Sequence, residues 1–214
     1  MRRAADEPDA RFYAAGGLSA RQTTEEARDN VARLLVSIVD QGRRQPPITP
    51  SRLRAWHRAV FGRLFPEDAG RWRQAHEDVA FPVLVEAEGS IEPVIVTGAP
   101  ARDIEEAVAG VCGRLEVILR AAELRSPPDS AAAGTALADF MAELLRVHPF
   151  VDGNHRVALV AAQATFVRLT GQPVLWGADY AALEETLEVA IVDEEGRRRL
   201  ARLFERRLAE PPAG

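Results

Sequence analysis

The segment HPFVDGNHRVALV, His148 to Val160, constrains the fold more than any other part of the chain. It lies between ALADFMAELLRV and ALVAAQATFVRL, two stretches whose apolar residues recur at helical spacing. Pro149 disfavours a helical conformation at His148, and Gly153 interrupts the segment a second time. The sequence therefore predicts a compact loop over residues 148–156 that joins two helices.

Most of the remaining chain also has a helical pattern. The segment from Thr23 carries apolar residues on one face, and a second helix is predicted to begin at Thr49 and Pro50, which suit cap and first-turn positions. SPPDSAAAG is predicted as a loop, and the segment from residue 181 to residue 210 as helical. Residues 81–97, FPVLVEAEGSIEPVIVT, instead form two Val/Ile-rich runs around a turn, which predicts a β-hairpin. We therefore expect an all-α domain with one inserted hairpin, spanning residues 21–210 after a loose arm over 1–20.

Composition excludes several classes of protein. The net charge of -5 argues against a surface built to bind nucleic acid, and no apolar run approaches the roughly 18 residues of a membrane span. The N-terminus lacks the apolar segment of a secretory signal, so we expect a cytoplasmic protein. The single cysteine, Cys112, lies in a helical pattern and is interpreted as a buried thiol.

The loop has the features of an anion site. The first-turn amides of the helix that follows it carry free donors, and Gly153 with Asn154 lets the backbone fold into a nest of N–H groups. Arg156 opposes the helix dipole in that first turn, and a bound polyanion would offset the repulsion. These residues predict a phosphate ligand.

Two further side chains add chemistry to a phosphate. Asp152 could hold Mg²⁺ on it, because hard cations prefer carboxylate oxygen, and His148 could take a proton from an attacking hydroxyl. A structural alternative has Asp152 capping the helix and His148 hydrogen-bonded in the core. A second alternative takes His148, Asp152 and His155 as ligands of one metal ion.

HPFVDGNHR resembles the motif of the Fic/Doc (Fido) family, His-Pro-Phe-x-Asp/Glu-Gly-Asn-Gly-Arg-x-x-Arg, at eight of its nine leading positions if x is free. Upstream, ITPSRLRAWHRAVFGRLFPEDAGRWR is similar to the family's helix and its Ala-Gly-x-x-Arg element, which makes Arg71 and Arg73 candidates for supporting the nucleotide site. The resemblance covers roughly residues 23–175.

The resemblance implies a helical enzyme that transfers AMP from ATP, with Mg²⁺, to a Ser, Thr or Tyr hydroxyl of a target protein. By position, His148 would be the general base and Asp152 the Mg²⁺ ligand, with Gly153, Asn154, His155 and Arg156 around the nucleotide phosphates. The hairpin over 81–97 would be the flap that docks the target segment, and a toxin-like protein of this kind could have an antitoxin partner.

This chain departs from the motif at two positions. His155 replaces the second glycine, which permits close approach of the phosphates, and Leu159 replaces the last arginine, which contacts a phosphate. The Doc branch carries lysine and leucine at these positions and resembles a kinase that transfers the terminal phosphate. Kinase-like transfer and a non-catalytic nucleotide-binding or interaction module therefore stay open as alternatives.

Overall fold

The computed structural model describes residues 20–87, 90–125 and 128–210. Within them the chain forms seven α-helices and one two-stranded antiparallel sheet, which confirms the predicted all-α domain with an inserted hairpin. The arm predicted over residues 1–20 lies outside the described residues except for Ala20, the first residue of α1. The elements are α1 (Ala20–Gln41), α2 (Pro50–Phe61), β1 (Ala80–Ala87), β2 (Ser90–Thr97), α3 (Ile104–Glu123), α4 (Ser130–Val147), α5 (Asn154–Thr170), α6 (Tyr180–Ala190) and α7 (Glu194–Ala209).

Helix α5 is the central element. It contacts α1, α2, α4 and α7, and every residue from Val160 to Leu169 is buried. A helix that is apolar almost all round is typical of such a position, because it has no face left for solvent. It ends at Gly171, whose φ of 84° lies in the left-handed region, where the missing Cβ removes the steric cost. The N-terminus of this buried helix is where the motif loop ends.

Helix α4 begins earlier than its composition indicates. The side chain of Asp129 accepts a hydrogen bond from the Ala132 amide and caps the helix, so SAAAG forms its first turns and the predicted loop over these residues is wrong. Gly134 is needed inside the helix, since a Cβ there would lie 2.8 Å from the Glu205 nitrogen of α7. The two helices therefore pack with their backbones in close approach.

The charged C-terminal segment is helical as predicted, but it divides into α6 and α7 at residues 191–193. Asp193 causes the break, because its carboxylate accepts from the Gly196 amide and caps a new helix. Gly196 then allows α7 to turn back, since a Cβ there would lie 2.8 Å from the Ala190 nitrogen.

A buried ion cluster fastens α5 to α3. Arg168 donates to both oxygens of Glu116, at 2.9 and 2.8 Å, and to Glu123 at 2.6 and 3.0 Å. Glu116 also accepts from the Ile48 amide at 2.7 Å, so the chain before α2 joins the same cluster. Burying Arg168 and Glu116 is tolerable because each of these two charges has more than one partner.

The hairpin pairs β1 with β2 in the register Phe81 to Val96 and Val83 to Val94, as an antiparallel ladder. Strand β1 contacts α6, whereas β2 is exposed at every position except Val96. The predicted hairpin is confirmed, although part of its turn, residues 88–89, lies outside the described residues. None of the described helices has both the length and the apolar character needed to span a bilayer.

Candidate functional site

His148 ends helix α4 in a left-handed conformation. Its φ is 52° and its amide still donates to the Leu144 carbonyl at 3.1 Å. Pro149 follows it and prevents the helix from continuing, so the backbone turns at His148. It is the single non-glycine residue with positive φ among those described, and such strained residues concentrate at functional sites.

The His148 imidazole is held in a neutral form. Its ring packs on that of Phe81 with centroids 4.7 Å apart, at the start of β1. The pKa of His148 is lowered to about 4, mainly by burial and also by the charges of His155 and Arg73, while a backbone hydrogen bond with Leu145 opposes the shift. At neutral pH this imidazole therefore carries a lone pair that can accept a proton.

Arg73 fixes the backbone on which His148 sits. Its guanidinium is buried and donates to the His148 carbonyl at 2.7 Å, to Asp78 at 2.6 Å and to the Ala99 carbonyl. Its backbone amide donates to the Pro149 carbonyl at 3.0 Å. The residue that the resemblance offered as a support of the nucleotide site thus joins the motif loop to the base of the hairpin.

Asn154 and His57 brace the loop from inside. The Asn154 amide bonds both backbone groups of Phe150, at 3.0 and 2.9 Å, and the Phe150 ring stacks on His57 with centroids 4.0 Å apart. His57 accepts from the Gly70 amide through Nδ1 at 2.8 Å, so its proton lies on Nε2, which donates to the Asp152 carbonyl at 3.0 Å. The Asn154 side chain is therefore committed to the loop, and its contact with a phosphate would come from the backbone.

Gly153 starts helix α5 at a place where no side chain fits. Its φ is 77°, and a Cβ built on it would lie 2.2 Å from Cε2 of Phe61. The Phe61 ring also lies 5.7 Å from the Arg156 guanidinium, within cation–π range. The Phe61 ring thus packs directly against the backbone of the predicted anion nest.

A cavity of about 390 Å³ opens beside the first two turns of α5. Its walls come mainly from α1, α5 and α6 and are mostly apolar. The basic groups are Arg28 on α1 and His155 and Arg156 in the first turn of α5, and the one carboxylate is Glu184 on α6. It has the size and mixed lining of a small-molecule site. The lining residues are Thr24, Arg28, Val31, Leu35, His155, Arg156, Leu159, Val160, Gln163, Trp176, Tyr180, Leu183, Glu184 and Leu187.

Asp152 is turned away from that cavity. Its Oδ1 accepts from the Gly153 amide at 2.5 Å, and its side chain lines a much smaller cavity with His57, Phe61 and Asp68. A lone carboxylate is a suitable donor for Mg²⁺, which completes its shell with water and substrate phosphates. The chemistry of Asp152 fits this ion, provided that the carboxylate rotates from the Gly153 amide toward the phosphates.

The structure bears on both alternatives from the sequence. Within residues 20–87, 90–125 and 128–210 no group of three or more His, Cys, Asp or Glu could hold a metal ion, so the trio of His148, Asp152 and His155 lacks support. The structural alternative is partly present, because Asp152 bonds the start of α5 and His148 bonds the Leu145 backbone. Those contacts orient the two side chains.

Sequence reasoning missed two aromatic supports. Phe61 lies in the predicted second helix and Phe81 in the predicted hairpin, but neither is a predicted site residue. Neither position carries a local signal, since each matters through a partner far along the chain. His57 is buried and packs on Phe61 and Phe150, whereas His76 is exposed.

Comparison with known protein families and structures shows which family the chain resembles. The profile of the Fic/DOC family matches residues 47–165, whereas no curated protein matches the sequence. Among solved structures, the N-terminal Fic domain of a Bartonella sp. AR 15-3 effector protein is similar, with a TM-score of 0.62, 16% identity, and coverage of 96% of this chain and 94% of that one.

Two similar structures contain nucleotides. BepC from Bartonella tribocorum, with bound AMPPNP, has a TM-score of 0.61 and 17% identity, with 88% of this chain and 87% of that chain covered. The N-terminal Fic domain of a Bartonella quintana cell filamentation protein, with bound ADP, has a TM-score of 0.61 and 16% identity, with 94% and 95% covered. The loop geometry, the hairpin beside it and the family match together show that this chain belongs to the Fic/DOC family.

Proposed function

We propose that this protein transfers AMP from ATP to a Ser, Thr or Tyr hydroxyl of a target protein, with His148 as the general base. The observation that carries the proposal is the neutral, half-buried His148 imidazole, held at the end of α4 by Arg73 and packed on Phe81. A base has to be unprotonated before reaction, and a pKa lowered to about 4 keeps it so at neutral pH.

The reaction balances with the groups present. The target hydroxyl oxygen bonds to the α-phosphorus, the bond from that phosphorus to the bridging oxygen of the β-phosphate breaks, and pyrophosphate leaves. The hydroxyl proton moves to His148. In the neutral tautomer that donates to Leu145, the lone pair lies on the other ring nitrogen, which becomes the acceptor.

The start of α5 is suited to the phosphates. Its first amides follow Gly153, whose lack of a side chain leaves the backbone bare, and the helix dipole favours an anion there. Arg156 adds a cation, and Asp152 would hold Mg²⁺, which neutralises phosphate charge when bound. The nucleotides bound by BepC and by the Bartonella quintana protein support nucleotide binding on this fold.

The hairpin would dock the target. Strand β2 is the outer strand, and its Ile91 and Ile95 are 72% and 64% exposed. An extended segment of the target could pair with β2 as a third strand, which would bring its hydroxyl to the hairpin base beside His148. We expect the protein to act in the cytoplasm, and an antitoxin partner stays a prediction.

The test uses ATP labelled at the α- or the γ-phosphate, with Mg²⁺ and cell lysate. The wild-type protein is compared with His148→Asn, because asparagine tolerates the left-handed conformation at this position yet cannot act as a base. His76→Ala is the matched control, since it removes a histidine whose side chain is 73% exposed.

We expect α-label on a protein band with the wild type and the control, and a loss of at least about a hundredfold with His148→Asn. Label from the γ-phosphate alone would replace AMP transfer by kinase-like transfer, which Leu159 in the last motif position favours. ATP binding without either label would leave a non-catalytic nucleotide-binding module.

A further inference from the structure

The cavity beside α5 includes the position at which the motif lacks its last arginine. Leu159 lies one helical turn beyond His155 on the same face of α5, and both residues line the cavity. An arginine at 159 would place its guanidinium in this space. The chain has an apolar side chain there, so a phosphate in the cavity needs another cation.

Helix α1 presents such a cation. Arg28, Val31 and Leu35 are spaced on one face of α1 and all three line the cavity, opposite Leu159. Val31 and Leu35 pack partly buried against the core, which holds this face of α1 toward α5. Arg28 itself is exposed, and within the described part of the chain its side chain makes no hydrogen bond or ion pair.

Basic side chains from two helices line the cavity near the start of α5. Arg28, His155 and Arg156 line one space, and the one carboxylate among the lining residues is Glu184 on α6. A polyanion in this space could accept hydrogen bonds from guanidinium groups on two helices, and such charge-assisted bonds are strong. The cavity therefore has the electrostatics of a site for consecutive phosphates.

We propose that Arg28 supplies, from α1, the phosphate contact that the motif has lost at Leu159. The proposal rests on the proposed function, in which the α-phosphate lies near His148. The leaving phosphates then extend along the first turns of α5 toward Leu159, which lines the same cavity as Arg28 and Arg156. Arg28 binds those distal phosphates and fixes the direction in which pyrophosphate leaves.

The experiment measures the affinity of the full chain for ATP and for AMP by calorimetry, with Mg²⁺ present. The variant is Arg28→Ala, and the matched control is Arg33→Ala, which removes an equal charge from an exposed position on α1 outside the cavity. We expect Arg28→Ala to weaken ATP about tenfold and AMP less than twofold, as for loss of one charge-assisted contact. The control should leave both affinities within twofold.

A rescue variant sharpens the result. In the Arg28→Ala background, Leu159→Arg should restore ATP affinity to within about threefold of the wild type, because it returns a guanidinium to the same space. The proposal is overturned if Arg28→Ala weakens ATP no more than Arg33→Ala does, or weakens AMP equally. Wild-type ATP binding without label transfer would refute the proposed function and leave the role of Arg28 standing, while absence of ATP binding would refute both.

Discussion

The contact between Gly153 and Phe61 leads to a quantitative prediction for Gly153→Ala. Two costs arise from the structure. Alanine in the left-handed region, at a φ of 77°, costs about 1–2 kcal/mol, and a Cβ placed 2.2 Å from Cε2 of Phe61 forces a repacking that costs about 1–3 kcal/mol. We expect the free energy of unfolding to fall by about 2–5 kcal/mol.

A double-mutant cycle separates the two costs. Phe61→Leu removes Cε2 and Cζ, the ring atoms that the new Cβ would meet at 2.2 and 2.6 Å, and leaves the contact with Cδ2 at 3.2 Å. In that background Gly153→Ala should cost only the conformational part, about 1–2 kcal/mol. The coupling energy between the two positions should therefore be about 1–3 kcal/mol.

Urea unfolding of the four proteins, followed by circular dichroism at constant pH, measures the cycle. Equal costs of Gly153→Ala in the two backgrounds would refute the reasoning, because the clash with the ring would then contribute nothing. A cost below about 0.5 kcal/mol in the wild-type background would refute the conformational part as well.

Two further predictions concern buried charge. The pKa values of His57 and His148 are lowered to about 4, mainly by burial, whereas unfolded histidines titrate near 6.5. The unfolded chain therefore binds more protons than the folded chain below pH 6.5. We expect the free energy of unfolding to fall between pH 6.5 and pH 5 by up to about 1.4 kcal/mol per pH unit for each histidine. Urea unfolding at several pH values measures this, and a free energy that does not change with pH contradicts it. Arg168→Met leaves Glu116 buried without its cation and should lower the free energy of unfolding by about 3–5 kcal/mol. Glu123→Gln should lower it less, because the Glu123 side chain is 34% exposed. Thermal and urea unfolding compare the two variants, and equal losses would contradict the role of the buried ion cluster.

Local signals were sufficient for much of the fold. The Thr49 side chain accepts from the Arg52 amide and Pro50 begins α2, as the cap pattern predicts. Helix α5 ends at Gly171, a residue type that commonly ends helices. The hairpin was visible because two β-branched runs flank a turn. Features of this kind depend on neighbours within one or two turns of the chain, which a sequence displays directly.

The remaining features depend on residues distant in the chain. SAAAG looks like a loop by composition, yet Gly134 is there because α7 approaches the α4 backbone. The Asp152 carboxylate accepts from the Gly153 amide through Oδ1, an orientation that its position in the motif does not reveal. The motif predicts His148 as the base but not its low pKa, which results from burial and from the charges of His155 and Arg73.

The contacts of Arg73 have a mechanical consequence. One planar cation holds the His148 carbonyl at 2.7 Å and, through Asp78 and the Ala99 carbonyl, the two ends of the hairpin. Under the proposed function, the hairpin that delivers the hydroxyl and the base that receives its proton are both held by the Arg73 guanidinium. Thermal displacement of the hairpin base then carries His148 with it, so the alignment between them can survive motion that would otherwise cost rate steeply, since a 1 Å misplacement can cost about a hundredfold.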